Sequence, residues 1–256
     1  MSVYGNGAGK LALGEALSNR RAVRRLVESL GSKFSTGLGI NIARDDEKEV
    51  FRWFLSSILY GARITERIVT NTFQKFSEKQ ILTPDKILQT GWDGLVQALD
   101  AGGYVRYDFK TATKLLDIMK TLTEKYHGSL TNLHNAASDP RDLERRLKEL
   151  GKGIGDVTAN IFLRELRGVW KKACPLPGDL ALEAAENLRL VRLRRRDEVG
   201  RGQALKDLEK IWKESSVKGK TFVHFEAALV RVGKDFCRKK KCKVCIAQSY
   251  CRKRKG

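Results

Sequence analysis

Apolar residues recur at three- and four-residue steps through most of the chain. This spacing predicts helices over 47–60 (EKEVFRWFLSSILY), 64–78, 84–90, 93–100, 108–126, 140–149, 157–169 and 180–190. Period-two alternation with β-branched enrichment is nearly absent, so no sheet is expected and the fold class reads as all-α. The helix-breaking residues agree with the periodicity. Pro84 followed by Asp85, and the Asp139-Pro140 pair, mark helix starts, because proline's fixed φ and missing N–H suit a first helical turn. Gly102-Gly103 and Gly128 mark stops, and neither an internal repeat nor a long low-complexity segment interrupts the pattern.

Charge changes the picture from fold to partner. Lys and Arg number 50 against 30 acidic residues, a net charge of +20 and a pI of about 9.9, which points to a polyanionic partner and best to nucleic acid. A basic surface kept for solubility is the alternative. The cations cluster in Asn19-Arg20-Arg21 with Arg24-Arg25, in Leu188 to Arg196 (LRLVRLRRR), and around the C-terminal cysteines as Arg238-Lys239-Lys240-Lys241 and Arg252-Lys253-Arg254-Lys255. At 256 residues the chain can hold one large or two small domains with a real core. No segment approaches the roughly eighteen apolar residues of a membrane span. Residues 1–17 lack the charged start and long apolar run of a secretory signal, so an intracellular setting, cytoplasmic or at the nucleoid, is expected. The stretch Tyr4 to Lys10 fails as a phosphate-binding loop, since Tyr4 stands at the required first glycine and Leu11 at the metal-binding hydroxyl.

Four cysteines close the chain, Cys237, Cys242, Cys245 and Cys251, in the order Cys-x4-Cys-x2-Cys-x5-Cys. Thiolates this close in sequence can converge on one metal centre, and an intracellular setting disfavours disulfides. A four-thiolate zinc usually groups its ligands as two separated pairs, whereas this is one compact run of the kind that holds an iron–sulfur cluster. Disulfides, zinc and iron–sulfur all remain open at this point. Cys174 stands alone and reads as a small apolar residue.

A second constellation occupies residues 142–166, DLERRLKELGKGIGDVTANIFLREL. Two amphipathic helices are joined by Gly151-Lys152-Gly153-Ile154-Gly155, too short for anything but a tight hairpin. Gly153 and Gly155 remove side chains and permit positive φ, so backbone N–H groups can approach an anion, and the following helix adds its positive end. Thr158 offers a hydroxyl, and Ile154 is expected to plug inward. Asp156 opposes an anion at the mouth of the loop, with Lys152 placed to offset it. The segment resembles a helix-hairpin-helix element, which grips a DNA phosphate without reading sequence; an ordinary glycine-capped hairpin is the alternative.

Hairpin and cysteine run together resemble the endonuclease III family of DNA glycosylases, the iron–sulfur branch of the helix-hairpin-helix superfamily. SILYGARITE (57–66) resembles the family's opening helix and the loop after it. TPDKIL (83–88), the Gly102-Gly103 to Lys114 stretch and YHGSL (126–130) follow its middle helices in order, LGKGIGDVTAN (150–160) matches the hairpin, and Gly178-Asp179 falls where the family places its essential aspartate. The resemblance implies a six-helix barrel over 46–178 and a cluster domain built from 1–45 with 179–256. It also implies a [4Fe-4S] cluster on Cys237, Cys242, Cys245 and Cys251, and a monomer acting on double-stranded DNA with a damaged or mismatched base. The loop between Cys237 and Cys242 is four residues rather than the usual six, but all four are cationic, which makes Lys239 and Lys240 candidate backbone contacts.

The implied chemistry rests on two positions. Cleaving a base–sugar bond builds positive charge on the sugar, and Asp179 is the carboxylate the resemblance assigns to stabilise it; its simpler reading is an N-cap. Family members that also cut the strand use a lysine two residues after the last hairpin glycine, and here that position is Val157. Valine cannot attack carbon, so a monofunctional glycosylase is expected, with Lys152 or Lys171 as substitute amines if a lyase step exists. Extrusion of a base leaves a hole to fill, and Arg63 stands where the family usually has glutamine. Lys152, Gly153, Gly155, Thr158 and Arg63 complete the expected DNA contacts. Tyr60 and Trp53 could stack on a flipped base, although helical spacing makes them core residues first, and His127, His134 and His224 show no ligand spacing. A relative that binds DNA without excising, and a zinc-ribbon binding module, are the competing functional readings.

Overall fold

The computed structural model describes residues 7–44 and 46–252, with side chains described from Leu17 onward apart from Arg44. The chain is all-α. Its helices are α1 (Gly7–Leu30), α2 (Phe34–Gly37), α3 (Glu47–Tyr60), α4 (Glu66–Glu78), α5 (Pro84–Ala101), α6 (Asp108–Tyr126), α7 (Leu130–Ala136), α8 (Pro140–Lys148), α9 (Asp156–Glu165), α10 (Asp179–Asn187), α11 (Glu198–Ser215) and α12 (Phe222–Val232). The extended pairing among the described residues is one isolated bridge, Arg167 to Trp170. No helix among them is long and apolar enough to cross a membrane.

Local chemistry sets the boundaries. Asp46, Thr65, Thr83, Ser129, Asp139 and Asp197 each accept hydrogen bonds from first-turn N–H groups of the helix they precede, and Pro84 and Pro140 occupy first positions. The two helices expected over 84–90 and 93–100 form one element broken by a kink at Gly91 (φ 67°, ψ 178°).

The chain divides into two units, Phe34–Pro175 and Met1–Lys33 with Leu176–Gly256. In the first, α3 is the central element, with Val50, Phe51, Trp53, Phe54, Leu55, Ile58 and Leu59 buried. Trp53 Nε1 donates to the Phe162 carbonyl at 3.0 Å, Tyr104 donates its hydroxyl to the Leu59 carbonyl at 2.9 Å, and the rings of Phe54 and Phe162 meet edge-on at 5.1 Å. Burying a side chain such as Phe162 contributes about 1.5–3 kcal/mol, and the ring contacts fix α9 against α3. Residues 34–44, expected with the cysteine tail, lie instead in this unit. The reason is the fully buried Glu165, whose carboxylate accepts from Phe34 N–H at 2.6 Å and Ser35 N–H at 3.0 Å and so ties α2 to the end of α9.

The second unit packs Val23, Leu26 and Val27 of α1 with Ala181, Leu182, Ala184 and Ala185 of α10, Ala204 and Leu208 of α11, and Phe225, Ala228, Leu229 and Val232 of α12. Cys237, Cys245 and Cys251 pack against this core. Arg25 Nε donates to the Ile246 carbonyl at 3.1 Å, and Arg231 donates to the Leu30 carbonyl at 2.9 Å, so α1 is fastened both to the cysteine loop and to α12.

Candidate functional site

In the first unit, α8 and α9 form the hairpin. Ile154 is buried, and its N–H donates to the Gly151 carbonyl at 3.3 Å, closing the turn. Gly153 has φ +110°, a conformation that side chains other than glycine resist. Lys152, Gly153 and Gly155 are exposed, and α9 begins at the Gly155 N-cap without a side-chain acceptor for its first-turn N–H groups.

Two expectations about this loop change. Thr158 is only 4% exposed, and a Cβ on Gly61 would collide with its Oγ1; the hydroxyl faces the end of α3 rather than an anion, so Thr158 is a packing residue. Asp156 is met by Lys148 Nζ at 2.8 Å, not by Lys152. Most cations of α8 are also matched: Arg146 Nε donates to Asp142 at 2.9 Å, Arg145 to Glu149 at 2.6 Å, and Arg141 to Glu144 at 2.7 Å. The Arg146 hydrogen bond, followed by the Ser138 N–H, holds the Asp142 carboxyl far below its ordinary range. Val157 is 65% exposed, an aliphatic residue at the tip where the resemblance looked for lysine. Arg63 is exposed in the turn between α3 and α4, while Trp53 is fully buried and Tyr60 packs its ring at 5.7 Å from Phe34, so both aromatics serve the core. Lys171 is exposed, whereas Lys172 Nζ donates to the carbonyls of His134 at 2.7 Å and Ala137 at 2.6 Å.

In the second unit, Asp179 is the first residue of α10, after a Gly178 N-cap that supplies no side-chain acceptor. Its carboxylate is 77% exposed and accepts a charge-assisted hydrogen bond from Arg201 Nη2. Arg201 also donates to the Pro177 carbonyl at 3.1 Å and the Arg196 carbonyl at 3.2 Å, so one guanidinium fixes the turn on which Asp179 sits. The sequence reading missed Arg201, because 22 residues and an irregular segment separate it from Asp179.

The four cysteines line one open cavity of about 820 Å³, shared with Asn187, Val232, Phe236, Lys240, Lys241 and Ala247. A single π turn, Gly233–Cys237, presents the first, and short 3₁₀ turns at Cys242–Val244 and Gln248–Tyr250 space the others. A Cβ on Gly233 would collide with the Leu180 carbonyl oxygen, so the π turn lies directly on the first turn of α10. Burial pushes the Cys237 thiol above its ordinary range; a hydrogen bond with Asn187 opposes this, and the charges of Glu183, Cys245 and Cys251 add to it. Cys245 is likewise raised by burial and partly offset by the Ala247 N–H. Among the described residues no three His, Cys, Asp or Glu side chains gather tightly enough for a single metal ion. The four cysteines line the wall of the cavity.

The basic loop of the tail is partly self-neutralised. Lys239 Nζ pairs with Asp235 at 2.9 Å, while Arg238, Lys240 and Lys241 are exposed, with Lys240 at φ 54°. Arg189, Arg192 and Arg194 are also exposed, whereas Arg196 pairs with Glu186 at 2.9 Å. Residues 253–255 of the last basic cluster lie outside the described residues. No protein-family model matches the chain, and none of the curated proteins matches it.

Proposed function

We propose that this chain is a DNA N-glycosylase of the endonuclease III type that hydrolyses the bond between a flipped, damaged or mismatched base and its sugar. The observation that carries the reading is the second unit: four cysteines line one cavity, and the turn bearing the first of them, Cys237, is laid against the helix that begins with Asp179. The order of these features with the uncapped glycine hairpin supports it further.

Asp179 supplies a negative charge where the departing base leaves positive charge on C1′. Arg201 is a positioning residue, holding that carboxylate by its ion pair and by the Pro177 carbonyl. Water attacks C1′, the base departs with the bonding electrons and is protonated, and an abasic site with a C1′ hydroxyl remains. With Val157 at the position of the lyase lysine, no covalent imine forms there and the strand is left intact. The exposed amides of the hairpin hold a backbone phosphate, Arg63 enters the space left by the extruded base, and Lys152 and Lys240 contact phosphates. Cys237, Cys242, Cys245 and Cys251 would hold a [4Fe-4S] cluster whose contribution is structural, pinning the 238–241 loop. The protein acts on duplex DNA as an intracellular monomer.

One observation favours a second reading. Asp179 is engaged by Arg201, which suits a relative that binds DNA structure without turnover. Duplexes carrying uracil, oxidised pyrimidines, 8-oxoguanine, hypoxanthine or alkylpurines, each treated with hot alkali after incubation, decide between the two. Alkali-dependent cleavage at one or more lesions supports the glycosylase, and tight binding with no base released from any of them supports the second reading. Anaerobically prepared protein should be brown and contain about four irons per chain; zinc at one per chain would remove the cluster from the proposal.

A further inference from the structure

Helix α6 runs along the hairpin, and two of its residues one turn apart, Lys114 and Ile118, meet the loop glycines Gly153 and Gly151. A Cβ on Gly151 would stand 3.0 Å from Ile118 Cγ1, and one on Gly153 would stand 2.9 Å from Lys114 Nζ and collide with its Cε. The Lys114 side chain therefore occupies the space that any residue larger than glycine would fill, with its ammonium beside the loop's exposed amides. It is half-buried, and among the described residues no carboxylate lies within ion-pair distance of it and no carbonyl accepts from it. This isolates it from the cations of α8, which are paired, and from Lys148, which meets Asp156. Burial pushes the Lys114 ammonium below its ordinary range. A desolvated cation without a counterion destabilises a fold unless an anion arrives to complete it.

We propose that Lys114 is a phosphate ligand of the hairpin, contributed by a helix outside the motif, and that it closes on the same phosphodiester that the loop amides hold. The inference rests on the reading that this chain binds DNA and adds to it a residue that the hairpin's own sequence does not contain. Lysine is the fitting residue here, since a single point charge on a long apolar stem can lie over a glycine and still reach an oxygen beyond it.

The test uses the full chain, a short labelled duplex with an abasic-site analogue, and affinity measured across a salt series. Lys114→Met keeps the stem and removes the charge. It should weaken binding by roughly fivefold to tenfold, by a similar factor for damaged and undamaged duplexes, and make the log–log salt slope shallower by about one. Its thermal midpoint without DNA should stay level or rise, the opposite of what a structural lysine would give. Lys120→Met, on the same helix but exposed and near Glu124, should leave the slope nearly unchanged. Reductive methylation of Lys114 should be blocked by duplex and not by inorganic phosphate at equal phosphate concentration. A Lys114→Met protein with wild-type affinity and slope would overturn the proposal while leaving the glycosylase reading intact. Equal effects from both methionine variants, protection by free phosphate alone, or borohydride trapping of Lys114 on abasic DNA would also overturn it. Wild-type protein without salt-dependent duplex binding would instead remove the reading beneath it.

Discussion

The same dipeptide opens two helices of this protein, Gly155-Asp156 at α9 and Gly178-Asp179 at α10, in both cases without a side-chain cap. Each aspartate sits at a positive helix end and each meets one cation, yet the two pairs are built differently. Asp156 is 89% exposed and meets Lys148 through one flexible point contact, so an arriving anion can displace it at little cost. Asp179 is held by a guanidinium that two backbone carbonyls also fix, so its direction is set before any ligand is present. One carboxylate is arranged to yield and the other to stay, and the supporting contacts make that distinction where the local sequence does not.

Substitutions can break this contrast. Asp179→Asn should have the largest effect, lowering single-turnover base release by about a hundredfold or more while leaving duplex affinity close to wild type; brisk excision by this variant would remove Asp179 from the mechanism. Arg201→Met should come next, with a loss of about tenfold in kcat rather than in KM, because the carboxylate survives but loses its fixed direction. Asp156→Asn should act in the opposite sense, tightening duplex binding by roughly twofold to threefold at low salt and leaving kcat unchanged, since it removes a negative charge from the mouth of the hairpin. The smallest effect is expected away from both aspartates. His224, whose Nδ1 accepts from the Thr221 N–H at 3.0 Å, is pushed down to about 4, first by burial and then by Lys33 and Lys220. Its neutral form belongs to the folded state, so this contribution is fully present above about 6.5 and is lost as pH falls towards 4. In thermal melts across that window His224→Gln should flatten the decline; an unchanged slope would assign it to other groups.

Much of the first unit was legible because its signals are local. The helices over 47–60 and 108–126 have the expected bounds, and Pro84 and Pro140 start helices where proline should. The buried Ile154 and the exposed Gly153 and Gly155 also follow from the loop's five residues. The second unit was less legible. Helix α12, FVHFEAALVRV, is apolar on nearly every side and so lacks the stripe that marks an amphipathic helix. Helix α11 carries Gly200 and Gly202 in its first turns, which read as breakers. The partners that define the candidate sites were the least accessible of all. Arg201 for Asp179, Lys114 for Gly153, Glu165 for Phe34 and Gly61 for Thr158 are long-range pairings, and no periodicity in one segment reports on them. Thr158 shows the cost: its position in the motif suggested a ligand, and a glycine almost a hundred residues earlier turned it inward.

The contact at Gly233 joins two parts of the second unit mechanically. Its missing side chain lets the cysteine-bearing turn rest on the Leu180 carbonyl, one residue from Asp179. A methyl group added at position 233 would therefore have to wedge the cysteine-bearing turn away from α10, so a single small substitution there should unsettle the thiol-lined cavity and the footing of Asp179 together.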